Sequence, residues 1–247
     1  MEFLDAFSAP QIAVAVMATL GAAFIRGLAG FGFGILLVPI LALALSPVEA
    51  VLAINIMAGG LAFTEIRMIL REAERSAFAI GALVVVGTGP GLWLLSITPP
   101  DIARLLIALV ALSAFVAILV PQRGAQQPGV AATTATGLSA GVLTGFAARP
   151  GPPGVPYYVG RAIPRAVAKA SMVCIFGIAA LAGVSSGAAL GVLSTQLVVL
   201  GLALFPLVLL GNWLGSLAFG KVSDTVWRAF VGVVLGATAI AALSRLF

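Results

Sequence analysis

Apolar residues fill most of this chain in long runs that divide at polar or breaker positions. The runs predict a hairpin over 9–45, spans over 48–69, 75–97 and 101–120, and a polar linker, Pro121–Pro128. A second hairpin follows over 130–161, then spans over 164–190, 194–218 and 224–246. Most of these exceed the ~20 residues that cross a bilayer. Each hairpin arm is read as shorter, roughly 15–18 residues, reaching only part of the way, so the hairpins are predicted to be re-entrant or tilted.

The two hairpins are broken in the same way. The first contains Arg26-Gly27-Leu28-Ala29-Gly30-Phe31-Gly32-Phe33-Gly34, and the second Gly145-Phe146-Ala147-Ala148-Arg149-Pro150-Gly151-Pro152-Pro153-Gly154. Gly34 and Gly151, Pro39 and Pro156, and Pro47 and Pro164 all lie 117 residues apart. Glycine and proline interrupt a membrane span only where the opened backbone lines a cavity or is buried in protein. Paired interruptions in two halves of an apolar chain point to a transporter's substrate site. The expected fold is therefore an all-α polytopic membrane protein of two inverted-topology repeats. Residues 1–120 form the first and 129–247 the second, joined by a cytoplasmic linker at 121–128. Each repeat is a broken hairpin followed by three transmembrane helices.

Charge placement supports this topology. Arg67, Arg71 and Arg75 cluster between two spans, so that loop should be cytoplasmic. Walking forward, the segments carrying Arg123, then Arg161, Arg165 and Lys169, then Lys221 and Arg228 fall on the same side. The opposite side keeps Glu2, Asp5, Glu49 and Asp101, with Arg104 and Arg245. A single crossing by 130–161 would put Arg161 and Arg165 outside, against the bias. Both termini are then outside, and three full crossings per half invert the halves.

Composition agrees. The chain is 62% hydrophobic and 9% charged, against ~25% charged for a soluble domain. The net charge of +5 sits in short loops, where it sets orientation rather than binding nucleic acid. The acidic start Met1-Glu2-Phe3-Leu4-Asp5 lacks a basic n-region, so the first run is read as part of the fold. One cysteine and no histidine exclude an intrachain disulfide, cysteine metal clusters and histidine catalysis. No Walker A pattern is present, and no cofactor or metal is expected.

In the first break, helix one is expected to end near Arg26-Gly27, and a second arm to begin inside the membrane. A helix N-terminus with free N–H groups favours an anion, and glycine lets backbone approach a ligand. Pro152 and Pro153 suit the first turn of a new helix. The two N-termini are expected to converge near the midplane. Arg26 and Arg149 are cations within spans, functional by default, with a planar donor fork for oxyanions. Capping the preceding half-helix is the competing reading. Phe31 and Phe33 form either an apolar collar or packing. Tyr157 and Tyr158 offer a hydroxyl to the site or mark the interface. Asn55 and Asn212 are expected well inside the spans, where they read as interhelical hydrogen bonds, with Asn55 also a candidate substrate contact. Glu65 pairs with nearby arginines or carries a proton, Lys169 snorkels or points inward, and Cys174 reads as a small buried residue. The candidate substrate-binding set is Arg26, Gly30, Phe31, Gly32, Phe33, Gly34, Asn55, Arg149, Gly151, Pro152, Gly154 and Tyr157.

The first break followed by Leu36-Leu37-Val38-Pro39-Ile40-Leu41, and its echo 117 residues later, resembles the TauE/SafE sulfite-exporter family, also called TSUP. The resemblance covers nearly the whole chain. It implies movement of sulfite, sulfonates or related organosulfur anions across the bacterial inner membrane. It maps the family's breaks onto Gly30, Gly32, Gly34 and Pro39, and onto Gly151, Gly154 and Pro156. Phenylalanines in the first break and the Arg149-Pro150-Gly151-Pro152-Pro153 run in the second depart from the pattern and favour a bulkier anion. The leading expectation is a secondary carrier, an exporter with alternating access. The alternatives are an anion channel or a carrier for another oxyanion or carboxylate. An intramembrane enzyme is disfavoured, since no nucleophile–base motif occurs. Expected partners are a small anion and membrane lipid; a homodimer is one option.

Overall fold

The computed structural model describes residues 7–29, 32–119, 129–149, 151–158, 163–217, 233, 236–237 and 239–244. The linker at 121–128, Gly30, Phe31, Arg161, Lys221, Arg228 and most of the expected span 224–246 lie outside them. The described residues form ten helices: α1 (Ala9–Ala29), α2 (Phe33–Ala44), α3 (Pro47–Thr64), α4 (Ile66–Glu72), α5 (Arg75–Ile97), α6 (Pro100–Leu119), α7 (Val130–Ala147), α8 (Gly151–Tyr158), α9 (Arg165–Ala189) and α10 (Thr195–Leu217). Six stretches are long and apolar enough to cross a bilayer: Ala9–Leu28, Pro47–Thr64, Arg75–Ile97, Val130–Ala147, Ala166–Ala189 and Thr195–Leu217. Large apolar side chains lie bare on their outer faces, among them Met17, Phe63, Val86, Trp93 and Leu202. A soluble surface does not carry so much exposed apolar area; a lipid-facing one does. The chain is a multi-pass membrane protein.

The hairpins differ from expectation in one respect. The first arm α1 is longer than expected at 21 residues, and α7, at the expected 18, is still long and apolar enough to cross; the second arms are shorter, 12 residues in α2 and, among the described residues, 8 in α8. The cause is visible at Gly27 and Gly145. Read as breakers, both stay helical because each is a contact point with a neighbouring helix. The described part of α1 runs on to Ala29, and α7 ends at its C-cap Ala148.

The chain divides into two compact units, and they are not the two sequence halves. One contains Met1–Met57, Thr98–Val116 and Ser194–Phe247; the other contains Ala58–Ile97 and Ala117–Leu193. In the first unit α1 packs on α10 and α2; in the second α7 packs on α5 and α8, and α9 packs on α5, α4 and α8. Each unit thus takes its broken hairpin from one half of the sequence and the helix crossing it from the other.

The two crossings use the same contacts. In the second unit a Cβ on Gly87 would meet the Leu138 carbonyl oxygen at 2.6 Å; in the first, a Cβ on Gly211 would meet that of Leu20 at 2.7 Å. A Cβ on Gly91 would overlap the Val142 carbonyl, and one on Gly215 the Phe24 carbonyl. A Cβ on Gly145 would overlap the Thr88 carbonyl, and one on Gly27 the Asn212 carbonyl. Leu20, Phe24 and Gly27 lie 118 residues before Leu138, Val142 and Gly145; Gly87, Thr88 and Gly91 lie 124 before Gly211, Asn212 and Gly215. Backbone meets backbone at every one of these points. In lipid, where apolar burial gives helices little reason to associate, such close approach is the main source of attraction.

The second unit adds a side-chain core. Ile80, Val84, Ala140, Tyr157, Tyr158, Cys174, Ile175 and Ala179 are buried together. Cys174 is therefore a small apolar core residue, as its sequence context suggests.

Candidate anion site at the second break

The second break begins with a strained residue. Ala148, with φ 50° and ψ 43°, caps α7 in the left-handed region, and it is the one non-glycine residue with positive φ among those described. A side chain there costs roughly 1–2 kcal/mol. Backbone strain of this kind persists where surroundings over-determine it, and it gathers at functional sites. The turn closes α7 cleanly: the Ala148 N–H donates to the Thr144 oxygen at 2.8 Å, and the Arg149 N–H to the Leu143 oxygen at 3.0 Å.

This turn carries Arg149 inward. Its side chain is only 4% exposed, and its Nη2 has no hydrogen-bond partner despite being fully enclosed. A buried guanidinium N–H without an acceptor loses the full solvation of a charged group. A protein retains such an atom when something else, not always present, accepts from it.

Helix α8 follows immediately. Gly151, Pro152 and Pro153 open it, and of these only Gly151 has an N–H. The prolines fix helical φ before the helix begins, but they remove donors that a helix N-terminus normally offers. Gly154, one turn in, is buried, yet a Cβ built on it would meet no atom within 4 Å. There is unfilled space beside the first turn of α8.

The far end of α8 is tied down. Tyr157 shares a hydrogen bond with Thr133 of α7 at 2.9 Å, and Tyr158 one with Ser76 of α5 at 2.9 Å. The two rings meet edge to face, centroids 5.0 Å apart. Both tyrosines are buried, which places their hydroxyls in the packing of α8 against its neighbours rather than at a lipid interface.

The first break is built differently. Gly32 is the N-cap of α2 with φ 101°, a left-handed conformation that suits glycine. Its carbonyl accepts from the Leu36 N–H at 3.2 Å, so Phe33, Gly34 and Ile35 have N–H groups with no partner inside the helix. Phe33 is 6% exposed and packs inward. At the other end of α2, Arg104 Nε donates to the Ala42 oxygen at 2.7 Å and Gln11 Nε2 to the Ala44 oxygen at 2.9 Å. Arg104 also pairs with Asp101 at 2.7 Å. Arg26 donates from Nη1 to Asn212 Oδ1 at 3.0 Å, which gives Asn212 the interhelical role open to it from sequence. Asn55, in α3, is 3% exposed with an unpartnered Nδ2. Lys169 is exposed.

The candidate residues thus fall into two groups. Arg26, Gly32, Phe33, Gly34 and Asn55 belong to the first unit; Arg149, Gly151, Pro152, Gly154 and Tyr157 belong to the second. Ala148, Ser76, Thr133 and Arg104 carry structural weight that sequence reasoning passed over. Only Arg104, three residues after Asp101, had a visible sequence signal.

The site thus combines an apolar multi-pass chain, two glycine- and proline-rich breaks and a buried arginine with an unpartnered Nη2. The family described as "Sulfite exporter TauE/SafE" matches residues 15–242. The chain belongs to that family. It is accordingly a membrane transporter of the sulfite- and anion-exporter type and not an enzyme. No curated protein and no solved structure is significantly similar to this TauE/SafE chain.

Proposed function

We propose that the chain is a secondary carrier that exports small organosulfur anions, such as sulfite or organosulfonates, across the bacterial inner membrane. The anion's negative headgroup accepts from Arg149 Nη2 and the Gly151 N–H, and its body occupies the space beside Gly154. The observation that carries this reading is the enclosed Arg149 Nη2 with no acceptor. An oxyanion supplies both the missing acceptor and the compensating charge. Arg149 is also the one buried ionised side chain among the described residues, so a headgroup of single negative charge neutralises it. The inside-negative potential drives such an anion outward.

Transport proceeds by alternating access between two inverted repeats. The matched glycine–carbonyl contacts of the α1–α10 and α7–α5 crossings support a repeat, and the arginine-rich loops support its inversion.

The test is thermal unfolding of purified protein with sulfite, sulfate, thiosulfate, sulfoacetate, taurine and carboxylate analogues, since a specific ligand stabilises by mass action. Sulfite or a sulfonate should raise Tm, and Arg149→Gln should abolish that rise while leaving the anion-free protein as stable as wild type or more so. No preference for sulfur oxyanions over carboxylates would overturn the substrate class. Unitary currents in bilayers, in place of saturable counterflow in liposomes, would overturn the carrier.

A further inference from the structure

We infer that Arg26 is a positioning residue: its guanidinium latches the last turn of α1 to Asn212 of α10 and thereby holds the chain where the first break begins. What this says about transport rests on the carrier reading above, but the latch itself stands on the geometry of one crossing.

Asn212 meets α1 twice. Its backbone carbonyl lies where a Cβ on Gly27 would be, and its side-chain Oδ1 accepts from Arg26 Nη1 at 3.0 Å. Arg26 and Gly27 are adjacent, so both contacts fall on one turn. A glycine allows the backbones to touch, and the arginine beside it bonds across the same point.

The matching crossing shows what the arginine adds. The residues equivalent to Arg26, Gly27 and Asn212 are Thr144, Gly145 and Thr88. There the glycine contact is kept and the bridge is not. Thr144 Oγ1 donates to the Ala140 oxygen at 2.7 Å and Thr88 Oγ1 to the Val84 oxygen at 2.7 Å, each within its own helix. The crossing therefore forms without a latch, and Arg26–Asn212 is extra to it.

Its place explains its use. Six residues after Arg26, Gly32 takes φ 101° and starts α2. The reversal is the point at which the first break exposes its N–H groups, and its position depends on where α1 ends. A cation in a span is costly unless partnered. Arg26 has that partner, whereas Arg149 Nη2 has none. The two arginines, alike in sequence, have opposite situations.

A double-mutant cycle tests this in anion-free buffer. Asn212→Leu should lower Tm by about 5 °C, the loss of one charged hydrogen bond, and Arg26→Met by at least as much. The double variant should fall no further than the lower single variant. Asn212→Asp, which still accepts from the guanidinium, should restore Tm. In proteoliposomes with sulfite as the probe, Arg26→Met should lower the maximal rate with KM within about twofold of wild type. Asn212→Leu should do the same, and Asn212→Asp should recover the rate. Additive losses in the double variant would overturn the latch. So would a KM raised about tenfold by Arg26→Met but unmoved by Asn212→Leu, the signature of direct anion contact. If sulfite is not transported at all, or Arg149→Gln leaves its effect intact, the carrier reading fails, and the anion-free cycle still decides the latch.

Discussion

Gly91 gives the most direct test of the packing. A Cβ there would overlap the Val142 carbonyl oxygen and lie 2.9 Å from both the Val142 carbonyl carbon and Cα. These are backbone atoms and cannot rotate away, so Gly91→Ala must push α5 and α7 apart. Ordinary contact begins near 3.4 Å, so the helices separate by about 1 Å, a gap that forfeits a quarter to a half of each dispersion contact across it. The loss spreads along the crossing, because Gly87, Gly137, Gly141 and Gly145 make contacts of the same closeness. Weakening three or four Cα–H···O contacts worth ~0.5–1 kcal/mol each, together with their dispersion, costs about 2–4 kcal/mol. Alanine's helix propensity returns roughly 1 kcal/mol. The net loss of about 1–3 kcal/mol lowers Tm by about 3–10 °C for a chain of this length. Gly215→Ala, at the equivalent point of the α1–α10 crossing, should fall by a similar amount. Gly21→Ala is the control: it is exposed, and a Cβ there meets nothing within 4 Å, so it should melt at or above wild type. Thermal unfolding in one detergent at one scan rate, followed by tryptophan fluorescence, measures all three. If Gly91→Ala melts with Gly21→Ala, the close-contact crossing is wrong.

Besides the Arg149 and Arg26–Asn212 experiments, two further outcomes follow from α8. Gly154→Ala should leave the anion-free Tm unchanged, because its methyl enters open space, but should shrink the Tm rise given by sulfite or a sulfonate; a full rise would show that the space is not the anion's. Tyr158→Phe should cost about 1 kcal/mol, a drop of a few degrees, through loss of the Ser76 hydrogen bond. Adding Ser76→Ala to Tyr158→Phe should cost nothing further, whereas an additive pair would show that the hydroxyls do not share a bond.

The helices were largely legible because long apolar runs have one use in a bilayer. Residues 75–97 and 194–218 read from composition differ little from α5 and α10. The breaks were legible as regions but not as residues, because glycine carries two meanings. Gly27 and Gly145 look like breakers, yet a helix keeps a glycine when another backbone needs the room. Nothing local tells this from a break; the partner lies 185 residues on in one case (Asn212) and 57 back in the other (Thr88). The left-handed turn fell instead on Ala148, a residue with no preference for it. Long-range pairing also hid the division into units. Gly34, Pro39 and Pro47 share one spacing with Gly151, Pro156 and Pro164. The exchange of α5 and α10 between halves appears only in which carbonyls the glycines meet.

The same spacing conceals a chemical difference between the breaks. A helix N-terminus attracts anions through the N–H groups it leaves unpaired. At α2 the N–H groups without an intrahelical partner are those of Phe33, Gly34 and Ile35, and the nearby arginine is engaged with Asn212. At α8 prolines take the second and third positions, leaving the N–H of Gly151, and the nearby arginine has a buried N–H to give. One break offers backbone donors and the other a side-chain donor, so the shared spacing does not carry over to the donor set. A guanidinium brings a full charge where an N-terminus brings about half, and that of Arg149 is buried. Substitution at Arg149 therefore removes most of the positive character of its break, whereas no single substitution does so at α2. Loss of anion-induced stabilisation concentrated at Arg149, with Arg26→Met and Asn212→Leu slowing transport but leaving anion affinity near wild type, is the pattern that this asymmetry requires.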